Sequence, residues 1–395
     1  MSASGLRPFL ALATCLGLVV LASAAPAEEW SPESPSLLTR WGRDLRPAEA
    51  WNVYPRPQMK RPQWRKLNGL WDYAIRPRGD SRPDTYDGKI LVPFPVESAL
   101  SGVNESVTPG ECVWYRRTFD IPDNWDADRL MLRFEACDWK TTVWVNGDKL
   151  GTHEGGFDHF AFDLSDHLQG SGPQELVVRV WDPTKSRSQP RGKQVPNPRE
   201  TGGNKFTAVT GIWQTVWLEP VSEPFVRELD MVSDIDEGTL TVTTNLAGPG
   251  KDVAVRLTAL AGGERKATAR GAPGEPVEIS INNPRLWSPQ NPFLYDLRVE
   301  LRKDGQTVDR VTSYFGMREV GLGKDEQGRT CITLNGEPRE VNEGITAAEL
   351  VAELALTDRR IAMEVNEELL PRSQFEAYRF DHGDRVEIVH AIGGG

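Results

Sequence analysis

The chain has 395 residues, of which 38% are hydrophobic and 26% are charged, and its formal net charge is −11. This length favours about two to four domains, and this composition is typical of soluble globular proteins with buried cores. An acidic chain is not expected to bind nucleic acid or an anionic membrane, because either partner would require a basic face.

Residues 1–27 have the pattern of a secretory signal peptide. Arg7 supplies the positive charge, residues 9–21 form an apolar run too short to span a bilayer, and Ala22-Ser23-Ala24 fits the small-residue cleavage rule. No later stretch is long and apolar enough to cross a membrane. We therefore predict an exported chain that has no membrane anchor after cleavage.

Three cysteines would remain after this processing: Cys112, Cys137 and Cys331. An odd number at irregular spacing indicates neither a disulfide framework nor a metal knuckle. Cys112 and Cys137 could pair, or they could be two separate buried thiols. The histidines show no ligand spacing, so we expect no metal site.

Residues 28–221 are expected to form a leader and a β-sandwich. Residues 28–57 are rich in proline, serine and arginine, which favours an extended leader lying on the next domain. Residues 58–221 contain roughly eight short strands rich in aromatic residues, a pattern typical of a jelly roll. The Asn146-Gly147 pair after the alternating residues 141–145 is a strong hairpin signal.

Five motifs follow one another along this region. They are Leu67-Asn68-Gly69-Leu70-Trp71, Trp114-Tyr115-Arg116-Arg117, Val143-Trp144-Val145-Asn146-Gly147, His153-Glu154-Gly155-Gly156-Phe157 and Thr210-Gly211-Ile212-Trp213-Gln214-Thr215-Val216-Trp217-Leu218-Glu219. Together they resemble the N-terminal sugar-binding domain of glycoside hydrolase family 2, the family of β-galactosidases and β-glucuronidases. Arg285-Leu286-Trp287-Ser288-Pro289 and Ser313-Tyr314-Phe315-Gly316-Met317-Arg318 resemble its second domain, which implies an immunoglobulin-like β-sandwich over residues 222–328.

The same resemblance implies a following (β/α)8 barrel, which holds the two catalytic carboxylates of the family. Only 59 residues follow Gly336, whereas such a barrel needs about 250. We therefore expect no catalysis from these domains. Sugar binding would then depend on loop residues that can stack on and hydrogen-bond to a pyranose, although most aromatic residues here are expected in the core. The candidate contacts are Asp138, Trp139, Asp158 and His159.

Residues 329–395 have a different pattern, with two strands, a helix and then further strands. Asn335-Gly336 marks a hairpin, Thr346-Ala347-Ala348-Glu349 is a capping box before a helix over residues 347–356, and residues 361–365 and 385–390 indicate strands. This order predicts an α+β, ubiquitin-like β-grasp. We expect residues 329–334 to pair into its sheet.

Four segments of this block resemble ThiS, the sulfur carrier of thiamine biosynthesis. They are Val365-Asn366-Glu367-Glu368, Pro371-Arg372, Asp381-His382-Gly383-Asp384-Arg385-Val386-Glu387-Ile388 and Gly393-Gly394-Gly395. The resemblance implies that a ThiF-like activating adenylyltransferase uses ATP to adenylate the carboxylate of Gly395, with Gly394 as the required neighbour. Sulfur transfer would then give a thiocarboxylate, which a ThiG-like thiazole synthase receives. No cofactor is expected to stay bound.

Leu369, Leu370 and Phe375 are apolar residues of this block with two interpretations. They could form a docking patch for a partner enzyme, or they could belong to the domain core, which is the better supported alternative. The distinction matters because only exposed side chains are available to a partner.

Two functions remain open from the sequence. One is a sulfur carrier, and the other is an exported carbohydrate-binding or structural remnant of a glycosidase. The signal peptide favours a periplasmic or extracellular location, whereas adenylation requires the cytoplasm, so the predicted locations conflict. Leu334-Asn335-Gly336-Glu337-Pro338 fits both halves, and a selected fusion, an in-frame deletion or an erroneous gene join would each produce it.

Overall fold

The structure is a computed structural model that describes residues 30–33, 38–170, 172–186, 189–196, 201–324, 330–335, 337–338, 345–353, 361–365, 368–380, 384 and 386–390. The predicted signal peptide and the terminal glycines lie outside these residues. In the described part, no helix has the length and apolar character needed to cross a membrane.

The leader contains short helical turns as well as extended chain. Helix α1 spans Arg40–Arg43, and 3₁₀ turns span Pro47–Glu49 and Pro57–Met59. The Thr39 hydroxyl caps α1 by accepting a hydrogen bond from the Gly42 N–H at 3.2 Å. Proline at the first position of both 3₁₀ turns suits the fixed φ of that residue, which explains why turns replace part of the expected extended leader.

The first sandwich consists of fourteen strands between residues 65 and 221. They are β1 (Arg65–Lys66), β2 (Gly69–Pro77), β3 (Gly88–Val92), β4 (Glu111–Phe119), β5 (Arg129–Phe134), β6 (Cys137–Asp138), β7 (Lys140–Val145), β8 (Asp148–Glu154), β9 (Phe160–Asp163), β10 (Gln174–Trp181), β11 (Gln194–Val195), β12 (Phe206–Thr207), β13 (Gly211–Ile212) and β14 (Val216–Val221). The main sheets have the orders β1-β14-β5-β9 and β3-β2-β4-β10-β7-β8. They enclose one core that includes Trp71, Tyr115 and Phe134.

Strand alternation decides which side chains enter this core. In β4, Val113 and Tyr115 belong to the core, whereas Trp114 between them belongs to a separate cluster on the other face. The predicted hairpin is confirmed, because β7 and β8 pair around Asn146 at φ 50° and Gly147 at φ 92°. Both values suit residues that tolerate the left-handed region.

The second sandwich consists of seven strands between residues 225 and 315. They are β15 (Phe225–Asp234), β16 (Thr239–Ala247), β17 (Val253–Ala261), β18 (Glu264–Gly271), β19 (Pro276–Ser280), β20 (Tyr295–Lys303) and β21 (Gln306–Phe315). The sheets β15-β16-β19 and β18-β17-β20-β21 share a second core of mainly aliphatic side chains. This two-sheet arrangement is the predicted immunoglobulin-like sandwich.

A fully buried carboxylate, Glu219 of β14, holds the leader against the first sandwich. Its Oε2 lies 2.6 Å from Arg133 Nε, and its Oε1 accepts a hydrogen bond from the Tyr54 hydroxyl. Arg56 of the leader and Arg61, just after the leader, lie 3.7 and 4.0 Å from the same Oε2. Burial lowers the pKa of Arg133, and the charge of Glu219 opposes this shift.

Arg61 extends this network to the second sandwich. Its Nη2 donates to Asp309 Oδ2 at 2.9 Å and to the Val226 carbonyl at 2.8 Å. Lys60 and Thr312 also exchange backbone hydrogen bonds at 2.9 Å in each direction. Within the leader itself, Arg56 Nη2 donates to the Arg227 carbonyl of β15 at 3.4 Å. The leader and the residues just after it therefore contact both sandwiches, whereas the sequence predicted contact of the leader with the next domain alone.

In the described residues after 319, the C-terminal elements form two small sheets and one α-helix. The strands are β22 (Val320–Lys324), β23 (Thr330–Leu334), β24 (Glu337–Pro338), β25 (Ile361–Val365), β26 (Glu368–Leu370) and β27 (Val386–His390), and helix α2 spans Ala347–Glu353. The predicted capping box is confirmed, since the Thr346 N–H and hydroxyl both donate to Glu349 Oε2 and the Glu349 N–H donates to Thr346 Oγ1. Residues 354–356 of the predicted helix lie outside the described residues.

The expected pairing of residues 329–334 with the C-terminal sheet is wrong for the described part of the chain. Strand β23 pairs with β22 and β24, whereas β26-β25-β27 forms a separate sheet. The reason is local, because β22 offers five residues in unbroken antiparallel register with β23. Asn335 closes this pair by exchanging two hydrogen bonds with the backbone of Glu319.

Glu219→Gln is expected to destabilise the front of the molecule strongly. The substitution keeps the shape of the side chain but leaves buried arginines without their carboxylate, which costs about 3–5 kcal/mol when one partner of a buried pair is removed. Urea unfolding followed by tryptophan fluorescence measures the change. Glu223→Gln is the matched control, because Glu223 pairs with Arg129 at the surface and its loss should leave the midpoint near that of the wild type. Equal midpoints for both variants would contradict the assigned role of Glu219.

Candidate functional site

The four candidate sugar contacts lie on two adjoining connections of the first sandwich. Asp138 and Trp139 join β6 to β7, and Asp158 and His159 lie between β8 and β9. The Gly155 N–H donates to the Trp139 carbonyl at 3.3 Å, which brings the two connections together. Trp139 is half-buried, and Asp158 and His159 are exposed.

Asp138 is not the exposed contact that the sequence predicted. It is only 2% exposed, and its Oδ2 accepts a hydrogen bond from Gln194 Nε2 at 3.3 Å. A Cβ at Gly156 would lie 2.6 Å from Asp138 Oδ1, so only glycine fits over this carboxyl group. The close backbone approach explains the burial, and it could not be read from the sequence spacing.

Two further acids, the half-buried Glu97 and the buried Asp182, belong to the same end of the sandwich and were missed in the sequence. Glu97 Oε2 accepts a hydrogen bond from the Thr210 N–H at 2.9 Å, and Asp182 Oδ1 accepts one from Gln189 Nε2 at 2.7 Å. Each acid follows an apolar run, which was the only signal in the sequence. Burial raises the pKa of Glu97 and of Asp138 to about 7, and the charge of Asp182 adds to both shifts.

An aromatic rim covers this acidic end. Phe157 is 56% exposed and packs edge-on against Trp213 at 5.9 Å between ring centroids. The Trp213 indole N–H donates to the Gly156 carbonyl at 2.7 Å, which fixes the ring beside the loop. Phe157, Trp213 and the exposed Asp158 are the groups that a pyranose could contact here.

The described residues contain no grouping of side chains that would support metal binding or thiol chemistry. No three His, Cys, Asp or Glu side chains within those residues are grouped to hold a metal ion. Cys112 and Cys137 are both free and buried, which excludes the disulfide alternative between them. Burial raises the pKa of both thiols, so neither is expected to be a reactive thiolate.

The docking candidates of the C-terminal block separate into core and surface. Leu370 and Phe375 belong to the core that includes Leu350 and Met363, whereas Leu369 is 63% exposed. Only Leu369 of the three is therefore available to a partner. Gly394 and Gly395 lie outside the described residues.

Comparison with protein families assigns each part of the chain. Residues 86–218 match the sugar-binding domain of glycosyl hydrolases family 2, residues 225–318 match glycosyl hydrolases family 2, and residues 332–395 match the ThiS family. The chain joins two family 2 glycosyl hydrolase domains to a ThiS domain. The predicted resemblance and the predicted fold classes are thereby confirmed.

Known relatives match the hydrolase domains. A β-glucuronidase of Paenibacillus borealis is 25% identical over 303 residues, which cover 72% of this chain and 49% of that protein. A β-galactosidase of Thermoanaerobacter pseudethanolicus is 25% identical over 57% of this chain and 30% of its own length. The solved β-glucuronidase of Lactobacillus rhamnosus has a TM-score of 0.55 at 24% identity, over 70% of this chain and 47% of that one. The chain thus spans about half the length of these relatives or less, and the structural likeness shows the fold alone.

The buried acids make a prediction about pH. Because Glu97 and Asp138 have pKa values of about 7 in the folded state and ordinary carboxyl groups titrate near 4, the folded state holds these protons more tightly than the unfolded chain. Their contribution is complete below about pH 4 and is lost as the pH rises through about 7. The free energy of unfolding should therefore fall over this window.

Asp138→Asn removes one of the two titrating groups. We expect the slope of unfolding free energy against pH to become shallower between about pH 5 and about pH 7, by about 1 kcal/mol per pH unit. Urea unfolding at a series of pH values measures it. Phe157→Ala, an uncharged exchange on the exposed part of the same loop system, should keep the wild-type slope. An unchanged slope in Asp138→Asn would contradict the assignment.

Proposed function

We propose that the chain is a sulfur carrier that uses the carboxylate of Gly395, presented by its ThiS domain. The observation that supports this most directly is the match of residues 332–395 to the ThiS family. In the described part of this domain, α2 and the sheet β26-β25-β27 share a compact core, so the domain has its own folded support.

The proposed chemistry has two balanced steps. A carboxylate oxygen of Gly395 forms a bond to the α-phosphorus of ATP, and pyrophosphate leaves. A sulfide ion then forms a bond from its sulfur to the acyl carbon, and AMP leaves with the former carboxylate oxygen. The product is a thiocarboxylate, and the activating enzyme supplies the catalysis, since the carrier contributes only the acyl group.

The glycines suit this chemistry for steric reasons. A terminal carboxylate must enter a narrow channel to reach ATP, and Gly394 and Gly395 have neither side-chain width nor a restricted backbone. An alanine at position 394 would add a Cβ beside the reacting group and remove the backbone freedom that such a channel requires.

Charge supports docking on enzymes of thiamine biosynthesis. Residues 337–395 contain 13 acidic and 6 basic side chains, a net charge of −7. A carrier with this charge would associate faster with basic faces of a ThiF-like adenylyltransferase and a ThiG-like thiazole synthase. Leu369 is the exposed apolar residue that such an interface would bury.

Intact-mass spectrometry tests the carrier proposal. After incubation with ATP, a ThiS-activating enzyme and a sulfur donor, the full chain should gain the mass difference between sulfur and oxygen. Gly394→Ala should reduce this conversion, and deletion of Gly394 and Gly395 should abolish it. Leu369→Ala should slow the reaction with the folded domain unchanged by circular dichroism. A wild-type chain that keeps its mass under conditions that convert an authentic ThiS protein would contradict the proposal.

A second candidate function is binding of carbohydrate by the exported hydrolase domains. The observation that favours it is the exposed rim of Phe157 and Trp213 beside Asp158, because an aromatic face with an adjacent carboxylate suits a pyranose. Calorimetric titration with β-galactosides and β-glucuronides should then show binding that Phe157→Ala abolishes and that His167→Ala, a distant exchange, preserves. Absence of detectable binding with both sugar classes would exclude this candidate function.

A further inference from the structure

The outer face of the six-stranded sheet carries an apolar cluster that is separate from both sandwich cores. Its buried members are Ala74, Trp114 and Val177, and Tyr86 and Trp144 pack against them. These side chains come from neighbouring strands, since Trp114 of β4 lies opposite Ala74 of β2 and Arg179 of β10. Rigid paired strands therefore hold the cluster in place.

A cleft of about 380 Å³ opens over this cluster. Trp114 and Trp144 line it, together with Asp80 and Arg82 of the β2–β3 connection and with Arg179. The volume lies within the range of about 300–1,000 Å³ that is typical of small-ligand sites. The cleft is distinct from the acidic end of the sandwich, because none of its lining residues belongs to that loop system.

Trp114 and Trp144 provide an apolar wall that includes one hydrogen-bond donor without an acceptor in the described residues. Their rings are stacked with centroids 5.6 Å apart and an interplanar angle of 25°. Trp114 is only 4% exposed, and its indole N–H has no hydrogen-bond acceptor within the described residues. A buried donor of this kind is costly unless a bound group or water satisfies it.

Positive charge collects beside the same wall. Arg179 lies over the Trp114 ring at 5.5 Å and donates to the Arg78 carbonyl. Within the described part of the chain, neither Arg78 nor Arg179 forms an ion pair with a carboxylate, whereas Arg82 pairs with Glu175 at 2.8 Å. Asp80 also lines the cleft, but no ion pair joins it to Arg179 in the described residues, so Arg179 can still pair with a bound anion.

We propose that this cleft binds a glycan that carries carboxylate groups. The pyranose packs against the half-buried Trp144. A hydroxyl or ring oxygen of the sugar accepts a hydrogen bond from the Trp114 indole N–H. The sugar carboxylate pairs with Arg179, and Arg82 extends the cationic edge. Asp80 accepts a hydrogen bond from a sugar hydroxyl. A simple inorganic anion has no hydroxyl to donate and would leave the Asp80 carboxylate unused.

The acidic character of the whole chain argues against a polyphosphate or nucleic acid ligand, since its net charge is −11 and such ligands require an extended basic surface. A carboxylated sugar needs only one or two local cations and an apolar face. The proposal concerns the first sandwich and does not depend on sulfur transfer by the ThiS domain.

Tryptophan fluorescence of the full chain tests the proposal with a tetrasaccharide of galacturonic acid and a neutral tetrasaccharide of galactose. We expect the acidic sugar to change the emission at saturable concentrations, and the neutral one to bind at least about tenfold more weakly, because it lacks the charge-assisted hydrogen bonds. Added salt should weaken the binding of the acidic sugar and leave the binding of the neutral sugar unchanged.

Variants distinguish this cleft from other sites. Arg179→Gln and Trp144→Ala should each weaken binding of the acidic sugar about tenfold or more. Arg82→Gln, at an exposed position where the exchange should not affect folding, should weaken this binding by less. Trp41→Ala, at an exposed tryptophan of the leader, is the matched control and should bind as the wild type does. Equal binding of both sugars, absence of binding, tighter binding of a nucleotide, or an effect of Phe157→Ala alone would overturn the proposal.

Discussion

The buried carboxylate of Glu219 is the charge around which the front of the molecule is arranged. It lies among Arg133 of the first sandwich, Arg56 of the leader and Arg61 just after the leader, and Arg61 also pairs with Asp309 of the second sandwich. Removing Glu219 would leave these buried arginines without a carboxylate partner, which is costly. The network therefore links the leader and both sandwiches through side chains that are mostly buried.

Strand β23 lies at the junction between the hydrolase domains and the ThiS domain. Strand β22 pairs with β23 along its full length. Asn335 adds a hydrogen bond from its side-chain amide to the Trp287 carbonyl at 3.1 Å. The junction strand thus pairs with β22 on the hydrolase side and with β24 on the ThiS side, while the ThiS helix and its sheet form a core of their own.

Local chemistry explains which features were predictable from the sequence. The Asn146-Gly147 hairpin and the Thr346–Glu349 capping box depend on residues close in the chain, and both were predicted correctly. The burial of Asp138 depends on a distant glycine that passes over its carboxyl group, so spacing alone indicated an exposed contact. The partner of β23 could not be chosen either, because alternation is equally compatible with two sheet edges. The cleft at Trp114 went unnoticed because aromatic residues in strands are usually core.

The central claim is that the ThiS domain remains a working carrier when it is joined to the hydrolase domains. The most direct measurement is growth without thiamine of a bacterial strain that lacks its own sulfur carrier protein and expresses this chain in the cytoplasm without residues 1–27. The account predicts that growth is restored, and that removal of Gly394 and Gly395 abolishes it. A soluble, folded chain that fails to restore growth, while residues 329–395 expressed alone succeed, would contradict the claim for the joined molecule.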